Sequence, residues 1–100
     1  DTAPHLTKDK ESDCGCAGVF NATYCIPILA QIFDDHNLIN NLENFVSKNG
    51  AFHYNLNINK EKIKLFRSSK KLIFKDFLRI NNEKIKIFEP DFSVFWHVAE

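Results

Sequence analysis

The sequence has few of the features that mark disulfide-rich or membrane proteins. It contains no methionine and only three glycines, three prolines and three cysteines among 100 residues. An odd number of cysteines, with Cys14 and Cys16 separated by one residue, argues against a secreted disulfide framework. We therefore expect a reducing, cytoplasmic compartment. No segment approaches the roughly 20 consecutive apolar residues that a membrane-spanning helix requires, so no membrane association is expected.

An excess of charge is also lacking, because 13 basic side chains balance 13 acidic ones. Nucleic-acid modules normally carry a basic excess, so no nucleic-acid partner is expected. What the chain does have is 44% hydrophobic residues and ten phenylalanines, a composition too apolar for disorder. The absence of methionine and of an apolar leader before Asp1 predicts that this is a fragment of a longer chain.

The spacing of apolar residues predicts two helices followed by short strands. The first helix is expected over residues 26–36, after a cap at Asn21, with Gln31 and Asp34 facing water. The second is expected over residues 40–48 and is ended by Gly50. Strands are expected at 54–58, 63–65 and 93–98, and a hairpin of residues 72–80 and 84–88 is expected around Asn81-Asn82.

The segment before these elements, residues 1–22, has no helical or strand periodicity and is typical of a ligand-binding loop. Asp1 and His5 stand four residues apart, and Gly15 and Gly18 allow the backbone to approach a ligand closely. A structural zinc site is an alternative, since the loop and the residues after it carry four soft donors. These are His5, Cys14, Cys16 and Cys25. In that case the chain would be a small Cys/His zinc-binding module that binds a protein partner.

The motifs of this loop resemble those of a known enzyme family. The runs D-T-A-P-H and K-x-K-E-S-x-C-G-C-A-G-x-F-N-A at residues 1–22 resemble the last active-site loop of class II dihydroorotases, which belong to the amidohydrolase superfamily. The resemblance continues through F-D-D-H-N at 33–37 and N-L-E-N-F-V-S-K-N-G at 41–50. It covers the first part of the chain well and the later part only loosely.

The resemblance implies an α/β fold, in which this chain is the C-terminal part of a (β/α)8 barrel followed by a short β-rich tail. Residues 1–50 would be the last active-site loop and helices of the barrel, and residues 51–100 a C-terminal β-rich appendage. The implied enzyme is a zinc-dependent cyclic amidohydrolase of pyrimidine biosynthesis that interconverts N-carbamoyl-L-aspartate and L-dihydroorotate. Two zinc ions would be bridged by a carboxylated lysine outside this segment. The rest of the barrel and a second copy in a homodimer are the implied protein partners.

The resemblance also assigns roles to four residues. Asp1 would ligate one zinc ion and act as the general base. His5 would bind the substrate carboxylate, Ala17 would contact the substrate through its backbone, and Gly18 would shape that contact. Cys14 and Cys16 would then form the loop and bind no metal.

The remaining zinc ligands and the substrate-binding arginine of such enzymes have no counterpart in this chain, so the fragment alone is expected to be inactive. An inactive amidohydrolase relative that retains the loop is a second interpretation.

Overall fold

The computed structural model of the chain describes residues 2–100 and has a mixed α/β structure. Its helices are α1 (Thr7–Lys10), α2 (Cys25–Asp35), a 3₁₀ helix (Ile39–Asn41), a π-helix (Asn44–Lys48) and α3 (Asn49–His53). Its strands are β1 (Leu65–Arg67), β2 (Phe77–Ile80), β3 (Glu83–Lys86) and β4 (Trp96–Val98). Within the described residues none of the helices has the length and apolar character needed to span a membrane. The chain divides into two compact units.

The first unit contains the chain up to Cys25 together with Ile73–Ser93, and an antiparallel hairpin of β2 and β3 is its regular element. Phe77 pairs with Lys86 at the open end of this hairpin. The turn contains Asn81 at φ +54°, a left-handed conformation that asparagine tolerates better than most residues. The hairpin predicted around Asn81-Asn82 is therefore confirmed.

The N-terminal segment of this unit is attached to β3 and to the residues that follow it. The backbone N–H of Lys86 donates to the carbonyl of His5 at 3.0 Å, and that of Phe88 donates to the carbonyl of Phe20 at 2.9 Å. Lys86 also donates a side-chain hydrogen bond to the Asp76 carboxylate, and this bond raises the pKa of Lys86. Main-chain bonds thus anchor the segment near both of its ends.

Tyr24 fixes the end of the same segment. Its hydroxyl accepts a hydrogen bond from the backbone N–H of Lys75 at 3.1 Å. Its ring packs edge-on against Phe74, with 4.7 Å between the ring centroids. Between these anchors the backbone of the segment forms a series of tight turns.

The second unit contains Ile26–Leu72 and Val94–Glu100. Helix α2 lies within one residue of its predicted start and end, with Pro27 in its first turn, where a missing N–H costs nothing. Strands β1 and β4 pair antiparallel, with Leu65 opposite Val98 and Arg67 opposite Trp96. This pairing closes a small sheet between segments about 30 residues apart, although both strands are shorter than a typical strand of about five residues.

One face of α2 differs from the prediction, because Gln31 is buried at 3% exposure instead of facing water. Its Oε1 accepts the backbone N–H of Phe95 at 2.8 Å, and its Nε2 donates to Asp35 Oδ1 at 2.8 Å. Asp34 also turns inward and accepts the indole N–H of Trp96 at 3.1 Å. Gln31 is buried and Asp34 is partly buried because they satisfy donors of Phe95 and Trp96, at and just before the start of β4.

The region after α2 also corrects the sequence prediction. The predicted helix does not end before Gly50, since α3 runs through this residue to His53. The strand predicted at 54–58 does not form, and Tyr54 and Leu56 are exposed. An alternating pattern makes a strand only where a neighbouring strand can pair with it, and none does so among residues 2–100.

Glu43, directly before the π-helix, lies between two lysine ammonium groups. Lys62 donates a hydrogen bond to Glu43, and Lys48 Nζ lies 3.7 Å from the other carboxylate oxygen. These two ammonium groups hold the pKa of Glu43 below its usual range. The site is exposed, so the pair contributes little to stability.

The division of the chain into a barrel part (1–50) and a β-rich appendage (51–100) stays a prediction. Both compact units combine an early and a late segment of the chain.

Candidate active site

Residues 2–22, here called the opening loop, are built from a succession of tight turns. A single helical turn, α1, begins after Leu6, whose carbonyl accepts the backbone N–H of Lys10 at 3.0 Å. Shortly after this turn, the Ser12 hydroxyl donates a hydrogen bond to the carbonyl of Asp9 at 2.6 Å. The backbone carbonyl of Ser12 accepts the N–H of Gly15 at 3.1 Å. Short-range bonds of this kind form without apolar periodicity, which explains why the sequence pattern missed α1.

The second half of the opening loop relies on left-handed backbone conformations. Gly15, Cys16 and Gly18 have φ angles of +72°, +38° and +91°. At Gly18 an added Cβ would lie 2.6 Å from the Cβ of Ala3, closer than real carbon atoms approach. Glycine is therefore required at position 18 both for its φ angle and for its lack of a side chain.

Donors from the N-terminal half of the loop bind four consecutive carbonyl oxygens in this turn. Lys10 Nζ donates to the carbonyls of Cys16 and Gly18, the latter at 2.8 Å. His5 Nε2 lies 3.0 Å from the carbonyl oxygen between them, that of Ala17. The next carbonyl, that of Val19, accepts the backbone N–H of Ala3 at 2.7 Å. This set of hydrogen bonds fixes the main chain of residues 16–19.

His5 is thereby held at two points. Its carbonyl accepts a hydrogen bond from the backbone of Lys86, and its ring bonds to Ala17. Because a carbonyl only accepts, Nε2 carries the proton in this contact. The half-buried imidazole is thus fixed beside the turn that contains Ala17 and Gly18.

Three of the four residues predicted for the site come together in this way. His5 bonds directly to Ala17, and Gly18 follows in the same turn. The N–H of Ala17 has no hydrogen-bond partner between residues 2 and 100, and Ala17 is exposed. This donor is available to a ligand. Asp1, the predicted zinc ligand and general base, lies outside the described residues.

The alternative zinc module finds no support in the positions of its donors. Cys14, Cys16 and Cys25 are free thiols, and Cys14 is exposed. From residue 2 to residue 100, no three side chains of the types His, Cys, Asp and Glu are grouped closely enough to hold a metal ion.

Lys10 is the residue of this loop that sequence reasoning missed. It lies at the last position of α1 and its ammonium group reaches across the turn to two carbonyls. The only signal in the sequence is a lysine six to eight residues before a turn that contains two glycines, and this signal is not specific.

Comparisons with known proteins identify the family to which the loop belongs. The chain is 40% identical over 98 residues to the dihydroorotase of Cereibacter sphaeroides, a match that covers 98% of this chain and 28% of the relative. This chain belongs to the dihydroorotase family. The dihydroorotase of Yersinia enterocolitica is 46% identical to it over 67 residues. No family model matches the chain. The chain spans about 28–29% of the length of the first dihydroorotases that it matches end to end.

Solved dihydroorotase structures share the fold. The crystal structure of Saccharomyces cerevisiae dihydroorotase in complex with 5-fluoroorotic acid matches 99% of this chain and 28% of that chain, with a TM-score of 0.78 and 27% identity. The crystal structure of Campylobacter jejuni dihydroorotase matches with a TM-score of 0.77 at 24% identity, covering 100% of this chain and 28% of that chain. At that identity the second match indicates the fold alone.

Proposed function

We propose that the full-length protein containing this segment is a class II dihydroorotase, which interconverts N-carbamoyl-L-aspartate and L-dihydroorotate in pyrimidine biosynthesis. The observation that carries the proposal is the 40% identity to a dihydroorotase over nearly the whole segment. The contact between His5 and Ala17 supports it, because these are the two residues proposed to bind substrate. The segment alone is proposed to be inactive.

The opening loop supplies the substrate carboxylate site in this proposal. His5 binds the carboxylate through Nδ1, because its Nε2–H is bonded to the carbonyl of Ala17, and the N–H of Ala17 donates a second bond. Gly18 shapes that contact, because a side chain there would collide with Ala3 and displace the turn. Hydrogen bonds to a charged carboxylate are stronger than neutral ones, so two such donors account for a substantial part of substrate affinity.

Zinc dependence is also part of the proposal, with two ions per subunit and a bridging carboxylated lysine outside this segment. Residues 2–100 do not by themselves fit a zinc site, since they lack a cluster of three suitable donors. Asp1 is proposed as the ligand that this segment contributes and as the group that passes a proton to the departing ring nitrogen.

The architecture and surroundings of the full-length protein follow from the same proposal. The segment would be the last part of a (β/α)8 barrel, with the rest of the barrel as its main packing partner. A homodimer is proposed, in a cytoplasmic location, without nucleic acid or membrane as partners. The small-molecule substrate is L-dihydroorotate or N-carbamoyl-L-aspartate.

The first test measures dihydroorotate hydrolysis and metal content in the full-length protein and in its Asp1→Ala variant. We expect about two zinc ions per wild-type chain. We also expect a loss of turnover of roughly 10²–10⁴-fold in the variant, the usual contribution of a proton-transfer residue. Normal turnover in Asp1→Ala would exclude the assigned role, and an inactive wild-type protein loaded with zinc would favour the inactive-relative interpretation.

The second test addresses substrate binding. His5→Ala is expected to raise KM about tenfold with a smaller change in kcat, because a bond to the carboxylate is lost. His36→Ala is the matched control, since His36 is exposed on the chain after α2. Equal effects of the two substitutions would contradict the assignment of His5.

A further inference from the structure

We infer that Lys10 is a positioning residue, which holds the Ala17 N–H in the direction required to bind the substrate carboxylate. This inference rests on the proposed function. One ammonium group, that of Lys10, donates to the two carbonyls that flank Ala17 in the chain, those of Cys16 and Gly18.

The geometry of the peptide bond connects these contacts to the Ala17 N–H. The carbonyl of Cys16 and the N–H of Ala17 belong to the same planar, trans peptide group and point in opposite directions. When Lys10 binds the carbonyl, the N–H on the other side of this peptide must point away from the ammonium group. That N–H has no hydrogen-bond partner among residues 2–100, so within these residues its direction is set by the peptide group to which it belongs.

The turn needs such a constraint, because its backbone is strained. Cys16 has a φ angle of +38°, a left-handed conformation that is unfavourable for a residue with a side chain. Without the bond from Lys10, this peptide is free to rotate toward a more favourable conformation, and the Ala17 N–H would rotate with it. Lysine suits the task, because its ammonium group has three donors and can serve two carbonyls at once.

Lys10 is itself well placed to act as a fixed support. It is partly buried and ends α1, where its backbone N–H bonds to the carbonyl of Leu6. The neighbouring Lys8 lies in the same helical turn but is exposed, and its side chain makes no hydrogen bond with residues 2–100. Lys8 therefore provides a matched control for the charge and helix position of Lys10.

The test uses the full-length protein and the variants Lys10→Met, Lys10→Arg and Lys8→Met. Lys10→Met is expected to raise KM for dihydroorotate about tenfold, with kcat changed less than about threefold and zinc content unchanged. The Kd of 5-fluoroorotate, measured by calorimetry without turnover, is expected to rise by the same factor as KM. Lys10→Arg is expected to recover most of the affinity, because a guanidinium also donates to two carbonyls, and Lys8→Met is expected to behave as wild type.

Several results would overturn the inference. An unchanged KM and Kd in Lys10→Met would show that the turn holds its conformation without the lysine. A fall in kcat at constant KM, or an equal loss in Lys8→Met, would assign the effect to chemistry or to general charge. If Lys10→Met fails to fold, a Lys10→Arg variant that folds but shows no recovery of affinity would count against the positioning role. A wild-type protein that neither turns over dihydroorotate nor binds 5-fluoroorotate would instead contradict the proposed function.

Discussion

At the scale of single residues, the opening loop depends on backbone conformations that few side chains accept. The carbonyl of Gly18 receives a bond from Lys10, and its Cα faces Ala3 at a distance that excludes a methyl group. Gly15 has a similar φ angle, but the space around its missing Cβ is open. Gly50, in α3, has open space and an ordinary helical backbone. Gly18 is thus required for its φ angle and for its lack of a side chain, Gly15 for its φ angle alone, and Gly50 for neither reason.

Alanine substitutions at the three glycines should distinguish the effect of backbone strain from that of the close contact. Gly18→Ala is expected to destabilise the protein most, by roughly 2–4 kcal/mol, because both strain and a clash arise. Gly15→Ala should cost about 1 kcal/mol from strain alone, and Gly50→Ala should be neutral or stabilise by up to about 1 kcal/mol, because alanine favours a helix. Urea denaturation of the three variants measures this order. Similar stabilities of Gly18→Ala and Gly15→Ala would contradict the close contact with Ala3.

At the scale of elements, the second unit is joined by polar bonds as well as by apolar contacts. Gln31 on α2 accepts the backbone N–H of Phe95, the residue that precedes β4. Asp34, one turn later, accepts the indole N–H of Trp96 and lies 3.4 Å from Arg67 Nε in β1. One face of α2 therefore fixes the position of the small β1–β4 sheet.

Replacement of Gln31 tests how much this arrangement contributes. Gln31→Leu keeps the approximate volume but leaves the Phe95 N–H without an acceptor in a buried position, and we expect a loss of about 1–3 kcal/mol in the free energy of unfolding. Asp35→Ala serves as the control, because it removes only the exposed partner of the Gln31 amide. A loss in Asp35→Ala as large as that in Gln31→Leu would show that the bond to Phe95 is not the decisive one.

The same elements show how far sequence patterns reach. Apolar spacing predicted α2 within one residue at each end, and the Asn81-Asn82 pair predicted the β2–β3 hairpin, because both signals are local. The orientation of Gln31 was predicted wrongly, since it depends on an N–H donor 64 residues away. The resemblance to dihydroorotases pointed to His5 and Ala17, but the role of Lys10 depends on carbonyl directions that residue types do not encode.

At the scale of the whole molecule, the segment exposes more large apolar side chains than its own fold requires. Phe52 in α3 is 68% exposed, and Tyr54, the first residue of the predicted strand that did not form, is 72% exposed. Phe45 in the π-helix, whose ring lies 5.2 Å from that of Phe33, is also exposed. Large apolar side chains that are exposed in this way commonly mark an interface, and the relatives are more than three times as long as this chain.

We therefore expect the rest of the full-length protein to cover the surface formed by Phe45, Phe52 and Tyr54. Phe52→Ala in the full-length protein is then expected to lower the free energy of unfolding by about 3 kcal/mol, the usual cost of truncating a buried phenylalanine. In the isolated segment the same substitution should have little effect on stability, and the segment should bind a hydrophobic dye that the full-length protein does not. Equal stability of the full-length protein with and without Phe52→Ala would mean that this surface faces solvent in the complete molecule as well.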